Sequence, residues 1–227
     1  MLTNIPQWIP LMFMVTTILT LSFFAKAIPN SKSKTAVLSG ILVWLGLQSA
    51  LAYWGFYLNF EGIPPRFVLT FGPTLVLMLV VFNLKKSKAW IDTLSTKTLT
   101  LLHIIRVPVE IVLMALAIEG VVPEMMTFEG TNLDILSGIT ALFIYYFGYV
   151  KQKLSKYFLV IWNTLALALL VNVVATAILS APTEFQLLNH NESLTAIMNF
   201  PFVLLPAVVV PIVFFSHFVC IRDLVKR

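Results

Sequence analysis

Charged residues are scarce in this chain: they make up 11% of its 227 residues, against 59% for hydrophobic residues. A soluble domain normally carries about 25% charged residues, because its surface faces water. The scarcity excludes an ordinary water-soluble domain and indicates that most of the surface faces an apolar medium. We therefore expect one integral membrane domain, covering residues 1–227, with the lipid bilayer as its partner.

Cysteine is also nearly absent. The single Cys220 excludes an internal disulfide and any cysteine-rich metal site. The chain has no glycine-rich nucleotide loop, no GxSxG elbow and no HExxH motif, so the familiar soluble catalytic patterns are missing. The last apolar run contains no lysine, which excludes a retinal Schiff base there. There are three histidines, and His190 falls in a predicted connection, so a seven-helix zinc hydrolase with three histidine ligands is excluded as well.

Seven apolar runs are long enough for membrane helices, which need about 20 residues to cross a bilayer. The runs are continuously apolar, whereas barrel strands are about half as long and alternate in polarity. The sequence thus predicts an all-α bundle of about seven transmembrane helices. The predicted spans are Trp8–Ala27, Thr35–Leu58, Arg66–Leu84, Thr98–Ile118, Asn132–Val150, Tyr157–Ser180 and Phe200–Ile221.

The connections between these runs alternate in charge. The first, third and fifth connections and the tail hold 13 of the 15 basic residues, whereas the even-numbered connections carry glutamates. By the positive-inside rule, this pattern places the N-terminus outside and the C-terminus in the cytoplasm. It also explains the net charge of +5 without a nucleic-acid partner. Met1–Gln7 has no basic residue, so we interpret the first run as a span rather than a cleaved signal peptide.

Three ionisable residues lie inside the fourth run, where each costs a few kcal/mol unless it is paired or hydrated. His103, Arg106 and Glu110 are three and four residues apart, which places them on one helix face within an arc of about 60°. Arg106 and Glu110 can pair, and Pro108 between them is expected to kink the helix. The group is either the core of a binding cavity or proton path, with His103 as its titrating member, or a structural ion pair.

Polar residues on other runs are candidates for the lining of such a cavity: by depth we select Gln48, Thr74 and Asn172. Asp134, at the start of the fifth run, is expected near the outer surface, where its charge suits a helix N-terminus. Arg66 begins the third run from outside. It is expected at the outer rim, where it either reaches Glu61, Asp134 or a ligand carboxylate or extends its charge into the interface.

His103 and His217 lie about five residues from the cytoplasmic ends of two oppositely directed runs. They are therefore expected at similar depth, where two imidazoles can hold a haem or a metal or pass a proton. Separate hydrogen bonds for each are the alternative. In the last run, Pro201, Pro206 and Pro211 predict a bent or locally unwound helix.

The segments Met126–Leu136 and Leu102–Glu110 resemble parts of uncharacterised bacterial multi-pass membrane proteins, over about a tenth of the chain. The resemblance implies a bacterial cytoplasmic membrane and carries no activity. The leading hypothesis is a protein that binds or translocates a small molecule or a proton through a polar cavity. The alternatives are a structural or accessory subunit, as a homo-oligomer or with a membrane partner, and a membrane enzyme or b-type cytochrome using His103 and His217. No resident cofactor is predicted under the leading hypothesis.

Overall fold

The computed structural model describes residues 5–184, 186–189 and 194–226, and within these ranges it contains helices and loops but no β-strand. His190 and Glu192, assigned to an outer connection, lie outside the described residues. We number the eight main helices in chain order: α1 Trp8–Ala27, α2 Lys32–Tyr53, α3 Val68–Asn83, α4 Lys85–Ile91, α5 Thr96–Ile118, α6 Ile135–Val150, α7 Lys156–Ser180 and α8 Leu205–Lys226. The predicted all-α fold is confirmed for this part of the chain.

Five of these helices, α1, α2, α5, α7 and α8, are long and apolar enough to cross a membrane. Helices α3 and α4 make a sixth if they are counted as one span, but the chain bends by 95° between them. Helix α6 is apolar yet only 16 residues long, and it begins at Ile135 rather than at Asn132. The count of seven spans stays a prediction.

Helices α5 and α8 form the centre of the bundle. They pack against each other, and each has a larger buried fraction than α1, α2 or α7. Helix α1 packs on α5, and α7 packs on α8. Helix α2 lies at the periphery, where only Gln48 and Ala52 are buried. The predicted irregularity of the last span is present, because α8 opens with a π-helical turn at Leu205–Val209 and Pro201 precedes the helix.

The outward faces of the long helices are covered with large apolar side chains. Exposed examples on α1, α2, α3 and α7 are Leu11, Ile18, Leu42, Val43, Val76, Leu77, Ile161 and Leu165. A monomeric soluble protein rarely exposes contiguous apolar patches larger than a few hundred Å². An apolar belt around a helical bundle is compatible with a membrane protein, since the helices satisfy their own backbone hydrogen bonds.

Opposite charges collect at the two ends of the bundle. The end of α1 meets the start of α5, because the backbone N–H of Ser95 donates to the Ala27 carbonyl. The start of α5 also meets the last part of α6, where the Lys97 ammonium lies 5.4 Å from the centre of the Tyr145 ring. Asp92 pairs with Arg222 and Lys226 near the end of α8, and their hydrogen bonds hold the pKa of Asp92 below its usual value. These contacts bring the lysine-rich stretches together in what we call the basic end.

At the other end, two acidic connections meet. A cavity of about 580 Å³ is lined by residues of the α2–α3 connection, including Glu61, and by residues that follow α7, including Glu184. The α5–α6 connection contacts α7 on this side, since Asn172 Nδ2 donates to the Thr131 carbonyl over 3.2 Å. We call this the acidic end.

Helix α2 is attached to its neighbours through carbonyls that prolines leave unpaired. Pro211 has no N–H to donate to the Ala207 carbonyl, and the Trp44 indole N–H donates to that oxygen over 2.9 Å. In the same way Pro73 leaves the Leu69 carbonyl without its helical donor, and Gln48 Nε2 lies 3.4 Å from it. Trp44 and Gln48 are four residues apart, on one face of α2.

This pairing predicts an energetic coupling between Trp44 and Pro211. Trp44→Phe leaves the Ala207 carbonyl unpaired and is expected to cost about 1–3 kcal/mol, a fall in Tm of several degrees for a chain of this size. In a Pro211→Ala background, where a backbone N–H can reach that carbonyl, the same substitution should cost clearly less. Thermal unfolding of the four proteins in this cycle measures the coupling. An equal fall in stability for Trp44→Phe in both backgrounds would show that Trp44 does not replace the hydrogen bond that Pro211 removes.

Candidate functional site

The α5–α6 connection folds into the bundle instead of running along its end. Met126, Thr127 and Asn132 in this connection are buried. Asp134, immediately before α6, contacts Arg106, which lies near the middle of α5. The expectation that Asp134 sits close to the outer surface is therefore wrong: it lies about 18 Å along α5 from the Ile118 end, at 1.5 Å per residue.

Helix α6 is short because it begins beside the middle of α5 rather than at the end of the bundle. Helices α5 and α6 run antiparallel, with Asp134 beside Arg106 and Tyr145 beside Lys97. About ten residues on each helix therefore cover the distance from the middle of the bundle to the basic end. The acidic half of the space beside α5 is taken by the folded connection rather than by the first turns of α6.

Two glycines permit the close packing. A Cβ on Gly138 of α6 would lie 2.9 Å from the backbone nitrogen of Val107 and 3.2 Å from Arg106 Cβ. A Cβ on Gly130 in the connection would lie 2.5 Å from the Glu124 carbonyl oxygen. Glycine at these positions lets backbone approach backbone, and this approach brings Asp134 within reach of α5.

Arg106 is the centre of the site, with 2% of its surface exposed. Its Nε donates to Asp134 Oδ2 over 2.6 Å, and its Nη2 pairs with Asp134 Oδ1, so the ion pair is bidentate. Nη2 also donates to the Ala166 carbonyl over 2.8 Å, and Nη1 lies 3.0 Å from His217 Nε2. One guanidinium on α5 thereby binds groups of α6, α7 and α8.

The hydrogen bonds of His217 determine its tautomer. Arginine can only donate, so His217 Nε2 accepts from Arg106. The other ring nitrogen, Nδ1, lies 3.0 Å from Asn163 Oδ1, an acceptor, while Asn163 Nδ2 donates to the Leu159 carbonyl. Nδ1 must therefore carry the hydrogen, and His217 is the neutral Nδ1–H tautomer in this arrangement.

His103 has the opposite character. It is fully buried, and neither ring nitrogen has a hydrogen-bond partner among the described residues. Its ring is stacked on that of His217, with centroids 3.9 Å apart and planes at 16°, and its edge meets Trp162 at 5.7 Å. Leaving a buried polar group unpaired costs about 1–3 kcal/mol, so this imidazole calls for an explanation.

Glu110 is buried as predicted, but it does not form an ion pair with Arg106. Both of its carboxylate oxygens accept from Asn132 Nδ2, over 2.8 and 2.7 Å. Asn132 also donates to the Met126 carbonyl and accepts from the backbone N–H of Asp134, so it links the Glu110 carboxylate to the backbone at the start of α6. The predicted Arg106–Glu110 pair is replaced by Arg106–Asp134, because the folded connection delivers a second carboxylate that arginine can bind in bidentate geometry.

Polar side chains continue from this cluster toward the basic end, along the contact between α5 and α8. Thr100 Oγ1 lies 3.8 Å from the Cys220 sulfur, which is 3.7 Å from the Thr96 carbonyl. Thr96 Oγ1 in turn donates to Asp223 Oδ2 over 3.3 Å. On α5 the face that carries these contacts consists of Thr96, Thr100, His103, Arg106 and Glu110, which we call the polar seam.

The other residues selected from the sequence lie away from the seam. Gln48 is buried, but its Oε1 accepts from the Tyr57 hydroxyl over 2.7 Å and its amide faces α3. Thr74 donates to the Phe71 carbonyl of its own helix. Asn172 is exposed. Neither the 580 Å³ cavity nor a second cavity of about 110 Å³, between α3, α7 and α8, is lined by any of these three residues or by Arg106, and the second cavity is apolar.

Arg66 is exposed, as expected for a rim residue, with its guanidinium 4.9 Å from the centre of the Phe56 ring. Within the described part of the chain it forms no ion pair with Glu61 or Asp134. Of the selected residues, the structure therefore brings together His103, Arg106, Glu110, Asp134 and His217.

Two asparagines in the site were not selected from the sequence. Asn132 was counted as the first residue of a span, and Asn163, within the sixth apolar run, was not considered. A signal for Asn163 was present: an amide in the middle of an apolar run needs a partner as much as a charge does. Nothing local identified Asn132, because its role depends on the inward path of the connection.

His103 and His217 are at similar depth, as expected, but their rings are stacked face to face. Both nitrogens of His217 are bonded, to Arg106 and Asn163, so it can ligate a metal or haem only if one of those bonds breaks. The described residues contain no group of three or more histidine, cysteine or acidic side chains arranged to hold a metal ion. The geometry does not favour a haem held between these two rings.

Comparison with known proteins yields a family. Residues 64–225 match the family model described as Domain of unknown function (DUF8737), and because this covers most of the chain, the protein belongs to that family. No curated protein and no solved structure matches the chain.

Proposed function

We propose that this member of the family is a multi-pass membrane protein, of a bacterial cytoplasmic membrane, that binds and relays protons along its buried polar seam. The apolar belt supports the membrane location, because it would be poorly solvated in water. The collection of lysines at one end supports an orientation with the basic end in the cytoplasm and the N-terminus outside. The acidic end then faces outward.

His103 carries the proton-binding part of the proposal. A neutral imidazole has one donor and one acceptor, and in His103 both are buried without a hydrogen-bond partner among the described residues. Proton uptake on the acceptor nitrogen converts His103 to an imidazolium, and the proton can leave from either nitrogen. His217 is held in one tautomer by two bonds, so it positions the His103 ring by stacking rather than competing for the proton.

The seam supplies groups on both sides of His103. Toward the acidic end, the Glu110 carboxylate is bound by one amide group and forms no salt bridge with a described residue, which makes it the second proton-binding group. Toward the basic end, the groups that can pass on a proton are the Thr100 hydroxyl, the Cys220 thiol and the Thr96 hydroxyl, which donates to Asp223. The Thr96 carbonyl only accepts, and it holds the thiol in place. Ionisable residues within membrane spans commonly mark proton relays. The tight packing of the Arg106 cluster favours a proton over a larger small-molecule cargo.

Proton flux in liposomes tests this proposal. With an internal pH-sensitive dye and an imposed membrane potential, reconstituted wild-type protein should change the internal pH faster than protein-free liposomes. His103→Gln keeps a polar side chain but cannot titrate, so its flux should fall to the protein-free level, and Glu110→Gln should behave likewise.

The control variant is Asn172→Ala, which alters an exposed amide outside the seam and should conduct like the wild type. Wild-type flux no greater than that of empty liposomes would overturn the relay. Normal flux in a correctly inserted His103→Gln protein would do the same.

A structural or accessory subunit is the second candidate, and the bonds of Arg106 favour it. One buried side chain ties four helices together, as a packing centre would. Under this reading, His103→Gln leaves every measured flux unchanged, and a homo-oligomer or a partner subunit appears in crosslinking of native membranes.

A further inference from the structure

Helix α4 has a direction that sets it apart from the long helices. It is seven residues long and bends by 95° from α3 after a single residue, Leu84. With the apolar helix α3 taken as a span, the 95° bend makes α4 lie along the membrane surface at the basic end. A short helix in this position lies at the level of the lipid headgroups.

The residues of α4 divide between two faces. At 100° per residue, Lys85, Lys86 and Lys88 share an arc of about 160°, and Trp90 and Ile91 lie outside it. Ile91 is buried, and the Trp90 ring packs against Phe215 of α8 with centroids 6.2 Å apart. The apolar face is therefore held by the bundle, which directs the lysine face away from it.

The charges of the three lysines are not neutralised within the described part of the chain. None of them forms an ion pair with another described residue. Asp92, the acid that follows α4, already pairs with Arg222 and Lys226. The α4 surface thus presents three unpaired cationic groups at the level where phosphates of a bilayer lie.

We propose that α4 is a binding site for anionic phospholipids, whose headgroup phosphates contact Lys85, Lys86 and Lys88. The inference rests on the membrane location and does not require proton relay. Each basic residue near an anionic membrane surface strengthens binding about fivefold, so three together contribute about a hundredfold. The attraction is electrostatic, and salt should weaken it.

The test is a lipid titration of purified protein in uncharged detergent, followed by apparent Tm. Phosphatidylglycerol should raise the Tm of the wild type, and phosphatidylcholine should not. In the Lys85→Gln, Lys86→Gln, Lys88→Gln protein, the concentration of phosphatidylglycerol needed for half the effect should rise about a hundredfold. A matched variant, Lys151→Gln, Lys153→Gln, Lys156→Gln, removes the same charge at the same end and should titrate like the wild type.

Three outcomes would overturn the site. The matched variant could lose its response to phosphatidylglycerol as fully as the α4 variant does. Phosphatidylcholine, or soluble glycerol phosphate, could raise the Tm of the wild type as much as phosphatidylglycerol does. Extraction of membranes at alkaline pH separates this inference from the membrane location. Protein that stays in the membrane pellet but does not respond to phosphatidylglycerol disproves the lipid site alone. Protein released into the supernatant disproves both.

Discussion

Asp134→Asn should be among the most destabilising single substitutions in this protein, at about 3–5 kcal/mol, because it leaves Arg106 as a buried charge without its counter-ion. The asparagine has nearly the same shape, so the loss reports charge rather than volume. For a chain of this size the Tm in detergent should fall by roughly 10 °C or more. Thermal unfolding, together with the yield of inserted protein, measures the effect.

Two further variants identify the cause. Asp92→Asn removes a carboxylate from an exposed ion pair at the basic end and should change the Tm little, since surface pairs contribute little to stability. Replacing both partners, as in Arg106→Met with Asp134→Leu, should recover part of the loss because no buried charge remains. A Tm for Asp134→Asn within the scatter of Asp92→Asn would show that Arg106 is neutralised by another group.

Gly138→Ala should also be clearly destabilising. The added methyl meets the Val107 backbone nitrogen at 2.9 Å, and a backbone cannot move aside as a flexible side chain can. Forcing α6 away from α5 should cost about 1–3 kcal/mol. It should also lengthen the Arg106–Asp134 contact, so Asp134→Asn should cost less in the Gly138→Ala background than in the wild type. The double-mutant cycle, followed by Tm, gives the coupling.

Gly46→Ala provides the matched control. Gly46 is also inside a helix, but a Cβ there meets nothing within 4 Å. Alanine is a better helix former than glycine by about 1 kcal/mol, so this variant should be unchanged or slightly more stable. If Gly138→Ala is stabilised to the same extent as Gly46→Ala, the close approach of α6 to α5 is not a determinant of the site.

Within the site, the sequence predicted correctly the features that depend on residue spacing along a single helix. The spacing of His103, Arg106 and Glu110 on α5 placed them on one buried face, and all three are buried there. Reasoning failed for the pairing of Arg106, because residue depth was counted from helix ends that were assumed to lie at the bundle ends. Asp134 begins its helix near the middle of the bundle, and no count along the chain shows this.

The lining residues failed for a related reason. Gln48 was chosen by its depth in the second run, but its amide is bound elsewhere: to the Tyr57 hydroxyl and, at 3.4 Å, to the Leu69 carbonyl left unpaired by Pro73. Depth along the chain placed Gln48 inside the bundle correctly, but depth does not show which neighbour the side chain faces. Which surface of α2 meets α3 is decided by packing, and an isolated helix pattern does not contain that information.

By itself the sequence determined the helical class, the positions of the long apolar helices, the separation of charge between the connections and the polar face of α5. These properties depend on local composition and on the helical period, which neighbouring residues along the chain set. Tertiary structure alone decided that Arg106 binds Asp134, that His217 is bonded while His103 is not, and that α4 turns aside. Those outcomes depend on contacts between residues far apart in the chain, such as Arg106 and His217, and on the space that Gly138 leaves for a neighbouring backbone.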